Sequence, residues 1–186
     1  MNQLHSIDRP EGKYTKLELD EMMVFCILDT AVSYEMCCKA FDELKEMKMT
    51  VRKEIIKWRE DMIENTLRRV GYRFPKQHAK RIKDFGYSDI DLRKATRKEL
   101  VADINGIGMK LASMFLRNTR GSQYAVLDRH TLRFLDRHLE VGNGIPYPKT
   151  YEEKEKLFIS IAKDLGKSPM ELDLEIWQRE RVGNRS

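Results

Sequence analysis

Cysteine is scarce in this chain, with only Cys26, Cys37 and Cys38 among 186 residues. Three thiolates cannot hold a four-cysteine iron–sulfur cluster, and none of them stands in the last third of the sequence. Cys37 and Cys38 are adjacent on a helical pattern running from Ser33 to Met49, where they read as small apolar or surface residues rather than metal ligands. The four histidines lack zinc-site spacing, so no catalytic metal is expected. No apolar run is long enough to cross a bilayer and no signal peptide is apparent, so no membrane partner is expected and a reducing, cytoplasmic setting is the default. There is also no alternating stretch of useful strand length, no repeat and no low-complexity tract. These absences leave helices, and the fold class expected is all-α.

Apolar residues recur at helical spacing almost throughout. Leu17, Met22, Phe25 and Leu28 crowd round most of one helix, as in a core. Met36, Ala40, Phe41 and Leu44 mark a second. Thr50 is expected to cap a long third helix, Val51 to Val70, carrying Ile55, Trp58, Met62 and Leu67, with Gly71 as its stop. Pro75 can open a short fourth helix that Gly86 ends. The capping boxes Thr150 with Glu153 and Ser168 with Glu171, the latter with Pro169 at the first helical position, start two more. Gly142-Asn143-Gly144-Ile145-Pro146-Tyr147-Pro148 is the one long turn-rich linker.

The middle of the chain carries the chemistry. Thr96-Arg97-Lys98-Glu99 has capping-box spacing, so a helix should start there. Gly106 and Gly108, in Ile104-Asn105-Gly106-Ile107-Gly108-Met109-Lys110, should end it and, tolerating positive φ, turn the chain tightly into a second helix from Met109 to about Asn118. The result is a helix-hairpin-helix over about 96–118. The first amides of its second helix suit a DNA phosphate. Lys110 falls in that first turn, where the helix field and any burial disfavour an ammonium and would favour a neutral, nucleophilic amine. An amine nucleophile acting on a sugar forms a Schiff base.

Asp128 precedes the amphipathic pattern Thr131-Leu132-Arg133-Phe134-Leu135 and stands where an N-cap would. A carboxylate there can also stabilise a cationic sugar or shuttle the lysine proton. The alternatives, Lys110 as a phosphate-contacting lysine and Asp128 as a cap only, remain open on the residues alone. Charge is distributed unevenly: residues 1–50 balance at −4 and residues 51–98 at +8. Arg68, Arg69, Arg73, Lys76, Lys80, Arg81 and Lys83 flank Tyr72-Arg73-Phe74, as in a groove that follows phosphates, or as on a solvated helix face.

The stretch Gly106-Ile107-Gly108-Met109-Lys110-Leu111-Ala112-Ser113-Met114-Phe115-Leu116-Arg117-Asn118, followed by Ala125-Val126-Leu127-Asp128-Arg129-His130-Thr131-Leu132-Arg133, resembles the HhH-GPD superfamily of DNA glycosylases. Within it, the chain is most similar to the type-2 8-oxoguanine DNA glycosylase/AP lyases, and Phe25-Cys26-Ile27-Leu28, Gly71-Tyr72-Arg73-Phe74 and Glu171–Trp177 extend the likeness. The missing cluster cysteines separate it from the endonuclease III and adenine-glycosylase branches.

The resemblance implies one glycosylase unit over 1–186 in two packed helical lobes. It implies Lys110 as Schiff-base nucleophile and Asp128 as catalytic aspartate of a bifunctional enzyme that excises an oxidised purine and cleaves the strand by β-elimination. Gly106, Gly108 and Arg73 would hold DNA backbone, and Phe74 and Trp177 would line the base pocket, although buried aromatics on helices are commonly core. The expected partner is a duplex containing a damaged base, acted on by a monomer. No cofactor is expected beyond a monovalent cation of the kind such hairpins often hold through loop carbonyls.

Two features depart from the family. The C-terminus reads Arg181-Val182-Gly183-Asn184-Arg185-Ser186 in place of a short tail ending in lysine, and Asp29 replaces a common threonine. The rival readings are a monofunctional alkylpurine-type glycosylase and a non-catalytic helix-hairpin-helix DNA-binding module.

Overall fold

The structure, a computed structural model, describes residues 4–9, 13–141 and 148–183, with the side chains of 140, 141 and 180–183 left aside. The described residues form helices and no strand: α1 Lys16–Leu28, α2 Tyr34–Glu46, α3 Arg52–Ile55, α4 Glu60–Arg69, α5 Pro75–Gly86, α6 Arg97–Asp103, α7 Met109–Arg120, α8 Arg129–Val141, α9 Tyr151–Asp164 and α10 Pro169–Gly183. The chain divides into two compact units that part after Gly121.

In the first unit α1 is the central element, packed against α2, α5 and α7. Thr15 and Glu18 close a capping box at its start, and from Leu19 to Leu28 only Glu21 is not buried. Leu17, expected in that core, lies outside it in the first turn of α1, at 48 % exposure. Phe25 meets Phe41 of α2 edge to face, with ring centroids 5.5 Å apart. Ser33 caps α2 by accepting from Met36 N.

The long third helix expected from Thr50 is in fact two helices, α3 and α4, with Ile56–Arg59 between them, and Val51 rather than Thr50 precedes α3 without a side-chain cap. The physical reason for the break lies on α5. The Lys83 ammonium donates to the carbonyls of Ile55 (3.3 Å), Ile56 (2.9 Å) and Trp58, so the acceptors a continuous helix would have used point at a cation. The break also shifts the register. Ile63 and Leu67 of α4 face inward, while Met62 is 40 % exposed.

The second unit is built from α8, α9 and α10 around Ala125, Leu127, Leu135, Phe158, Ile161 and Ile176. The extended segment ahead of α8 is bonded to α9. Ala125 N donates to Glu155 (3.2 Å), Leu127 N to the Tyr151 hydroxyl (3.3 Å), and that hydroxyl to Ala125 O (3.0 Å). The boxes Thr150–Glu153 and Ser168–Glu171 form as their spacing predicts. Residues 142–147 of the turn-rich linker and 184–186 of the C-terminal sequence lie outside the described residues. Among the described residues no helix is long and apolar enough to cross a membrane.

Candidate active site

The helix-hairpin-helix forms where its spacing placed it, in the first unit. Thr96 and Glu99 cap α6 reciprocally, Ile104 and Ile107 bury the two arms of the turn, and Ile107 N closes it on Ile104 O at 3.1 Å. Gly106 has φ +89°, a conformation that favours glycine, and a Cβ there would displace the flexible end of the Arg81 side chain, 2.6 Å away. Gly108 has a different role from the one expected of it. Its φ is −101°, and it is the N-cap of α7, with open space where a Cβ would be and no side-chain cap for the helix. Asn105 Nδ2 donates to Asp84 of α5 at 2.8 Å, tying the hairpin tip to the core.

Lys110 is the second residue of α7. Its Nζ donates to Asp29 Oδ2 at 2.5 Å, with the side chains 32 % and 19 % exposed, so the pair is half shielded from water. Asp29 is the C-cap of α1, where its own N–H closes on Phe25 and Cys26 carbonyls. Each charge is placed against its own helix field, an anion at a C-terminus and a cation at an N-terminus. Packing α1 against α7 brings the two misplaced charges together. The sequence marked Asp29 only as a departure from the family; nothing local indicates a partner 81 residues away.

Beside this pair lies a buried polar group. Asp8 accepts from Asn118 Nδ2 (2.6 Å) and the Tyr34 hydroxyl (3.0 Å), and burial raises its carboxyl above the ordinary range. Burial also pushes the Cys26 thiol well up, reinforced by the charges of Asp29 and Asp8 and opposed by Lys110 and Arg117, so Cys26 is a neutral thiol. The buried Tyr72 hydroxyl donates to Leu28 O at 2.6 Å, one residue before Asp29, and burial raises it too.

Arg73 is exposed and places its guanidinium 4.9 Å from the Phe74 ring centroid. Phe74 is half-buried, not core, and stacks with His78 at 6.3 Å; burial lowers the His78 imidazole. Of the other basic residues around Tyr72-Arg73-Phe74, several have internal partners. Arg68 pairs with Glu64 (2.5 Å), Arg69 with Glu43, and Lys80 with Asp84 (3.2 Å), while Lys83 holds the carbonyls of the α3–α4 break.

Asp128 and Trp177 belong to the second unit. Asp128 Oδ1 accepts from His130 N (2.7 Å) and Thr131 N (2.9 Å), the N-cap geometry expected of it, and its side chain is partly exposed. Trp177 is half-buried on α10, next to Ile176 of the core. Lys110, Gly106, Gly108, Arg73 and Phe74 all belong to the first unit. No group of three or more His, Cys, Asp or Glu side chains that could hold a metal occurs among the described residues.

The sequence profile of the 8-oxoguanine DNA glycosylase family matches residues 6–167. An 8-oxoguanine DNA glycosylase/AP lyase of Thermoplasma volcanium is 31 % identical over 170 residues, covering 87 % of this chain and 79 % of that protein. One from Metallosphaera sedula is 36 % identical over 126 residues, covering 62 % of this chain and 61 % of its own length. Among solved structures, the Methanocaldococcus jannaschii 8-oxoguanine glycosylase/lyase in complex with a 15mer DNA containing 8-oxoguanine aligns with TM-score 0.69 at 28 % identity, over 89 % of this chain and 81 % of that one.

Proposed function

The chain belongs to the 8-oxoguanine DNA glycosylase family, and from that premise we propose that it is a bifunctional DNA glycosylase/AP lyase acting on 8-oxoguanine in duplex DNA. The observation that carries the proposal is Lys110, an amine in the first turn after a glycine hairpin, half shielded and held against a carboxylate. The α7 amides behind Gly108 receive a DNA phosphate, since the N-cap glycine offers them no side chain. The damaged nucleotide leaves the stack, because its C1′ cannot be reached inside a duplex. Phe74 is a flat partner for the rotated base, and the Arg73 guanidinium beside it contacts backbone.

Lys110 Nζ then attacks C1′ and the base departs with the bonding electrons. Asp128 stabilises positive charge on the sugar, and the sugar ring opens to an imine on Nζ. That imine makes a C2′ proton acidic, so β-elimination cleaves the strand on the 3′ side.

Borohydride reduces such an imine to a stable amine. Incubation of the protein with an 8-oxoguanine duplex and borohydride is expected to give a covalent protein–DNA adduct, absent with Lys110→Gln. A wild-type protein giving none, or a Lys110→Gln protein still giving it, overturns the assignment.

A further inference from the structure

We propose that Asp29 is the positioning residue for Lys110 and the acceptor of its ammonium proton. The proposal rests on Lys110 being the nucleophile, and adds what the nucleophile needs before it can act: a lone pair. An ammonium has none, so one proton must leave Nζ before a bond to C1′ can form. The Asp29 Oδ2 atom is 2.5 Å from Nζ, the distance of a strong charge-assisted hydrogen bond and short enough for direct transfer.

In the transfer the Nζ–H bond breaks and an Oδ2–H bond forms. The ammonium and carboxylate become an amine and a carboxylic acid, and no charge is left over. Covering the pair with DNA favours this. The pair is already half shielded in the protein alone. A duplex laid over α7 removes the remaining water, and a low dielectric favours two neutral groups over two separated ions.

Among the described residues of the first unit, four other ionisable groups near the pair are poorer acceptors for the proton. Cys26 on α1 is a neutral thiol, so it has no acceptor of comparable strength. Tyr72, ahead of α5, holds its own proton on the Leu28 carbonyl. Asp8, in the segment before α1, has both carboxylate oxygens taken by Asn118 and Tyr34. Arg117 on α7 is a cation. Asp29 is also well fixed, because its main-chain N–H closes the last turn of α1 on two carbonyls and so sets the direction from which it meets Nζ.

The test uses single-turnover cleavage of an 8-oxoguanine duplex by the full chain. Asp29→Asn keeps the size and one acceptor oxygen but cannot take the proton. The expected rate at neutral pH falls by about 10²-fold or more, within the range that general acid–base groups supply. Binding of the duplex is expected to stay unchanged. The deficit is expected to narrow as pH rises, because hydroxide then removes the proton, and Asp29→Glu is expected to recover part of the neutral-pH rate.

An Asp29→Asn protein that cleaves at the wild-type rate or faster at neutral pH overturns the proposal, since the carboxylate would then only hold the ammonium charged. If Asp29→Asn does not fold, the Asp29→Glu profile decides: a maximum unmoved in pH and undiminished in rate overturns it. Failure of wild-type borohydride trapping removes the Lys110 reading itself, whereas a trapped wild type with an unimpaired Asp29→Asn removes only this proposal.

Discussion

The helix that carries Lys110 begins on a glycine that offers its first amides no side chain, whereas α8 begins on a carboxylate that takes two of them. Both helix ends present the same kind of positive field. In α8 the protein neutralises that field with its own Asp128. In α7 the N-cap is a glycine, and the first turn adds a cation, Lys110, whose counter-charge comes from the far end of α1. On the proposed function, the Asp128 carboxylate serves both as cap and as charge stabiliser, and the uncapped start of α7 serves as a phosphate site.

Removing the charge of Asp128 while keeping its cap separates its two roles. Asparagine caps as well as aspartate does, so Asp128→Asn is expected to melt like the wild type. Its single-turnover cleavage is expected to slow by about 10²-fold or more, as when a charge-stabilising group is lost from a site. An unimpaired rate would reduce Asp128 to the cap that its geometry already describes.

The converse exchange gives α7 the cap that α8 has. Gly108→Asp meets no steric obstacle, since nothing lies within 4 Å of an added Cβ. It is expected to raise stability by only a few tenths of a kcal/mol, the difference between glycine and a capping side chain. Duplex affinity is expected to drop roughly tenfold, about 1.4 kcal/mol, because the carboxylate occupies the amides a phosphate would use. Calorimetry and fluorescence anisotropy on one preparation give both numbers, and an unchanged affinity would mean that the phosphate sits elsewhere.

A smaller effect concerns the other amine held by distant groups. Lys83→Met strips the cation from the carbonyls at the α3–α4 break. The expected loss of stability is about 1–3 kcal/mol, the cost of leaving such acceptors unsatisfied. Thermal melting measures it, and a loss near zero would return the break to the intrinsic preferences of residues 56–59.

The comparison also explains which parts of the site were legible in the sequence. Asp128 and the Thr96 box are recognised from residues two to three positions apart, so their spacing carries the whole signal. The hairpin is equally local, although Gly106 alone needs positive φ and Gly108 serves as a helix start. Asp29 could be seen as unusual but not understood, because its partner is supplied by the packing of α1 on α7. The split of the expected 51–70 helix was hidden for the same reason. The apolar spacing of Ile55, Trp58 and Met62 reads as one helix, and the ammonium that interrupts it belongs to α5. Asp8 gave no sign of burial, since its two partners lie 26 and 110 residues away.

The Lys83 clasp has a further meaning for how the protein meets a polyanion. Affinity for a duplex rises with the number of condensed counterions that contacting cations displace, by a slope of about 0.9 in log–log salt dependence for each phosphate neutralised. Lys83 has given its donors to three carbonyls of its own chain, so it has no N–H left for a direct phosphate hydrogen bond. With Arg68, Arg69 and Lys80 in internal ion pairs as well, a salt titration is expected to count fewer contacts than the +8 balance of residues 51–98 suggests.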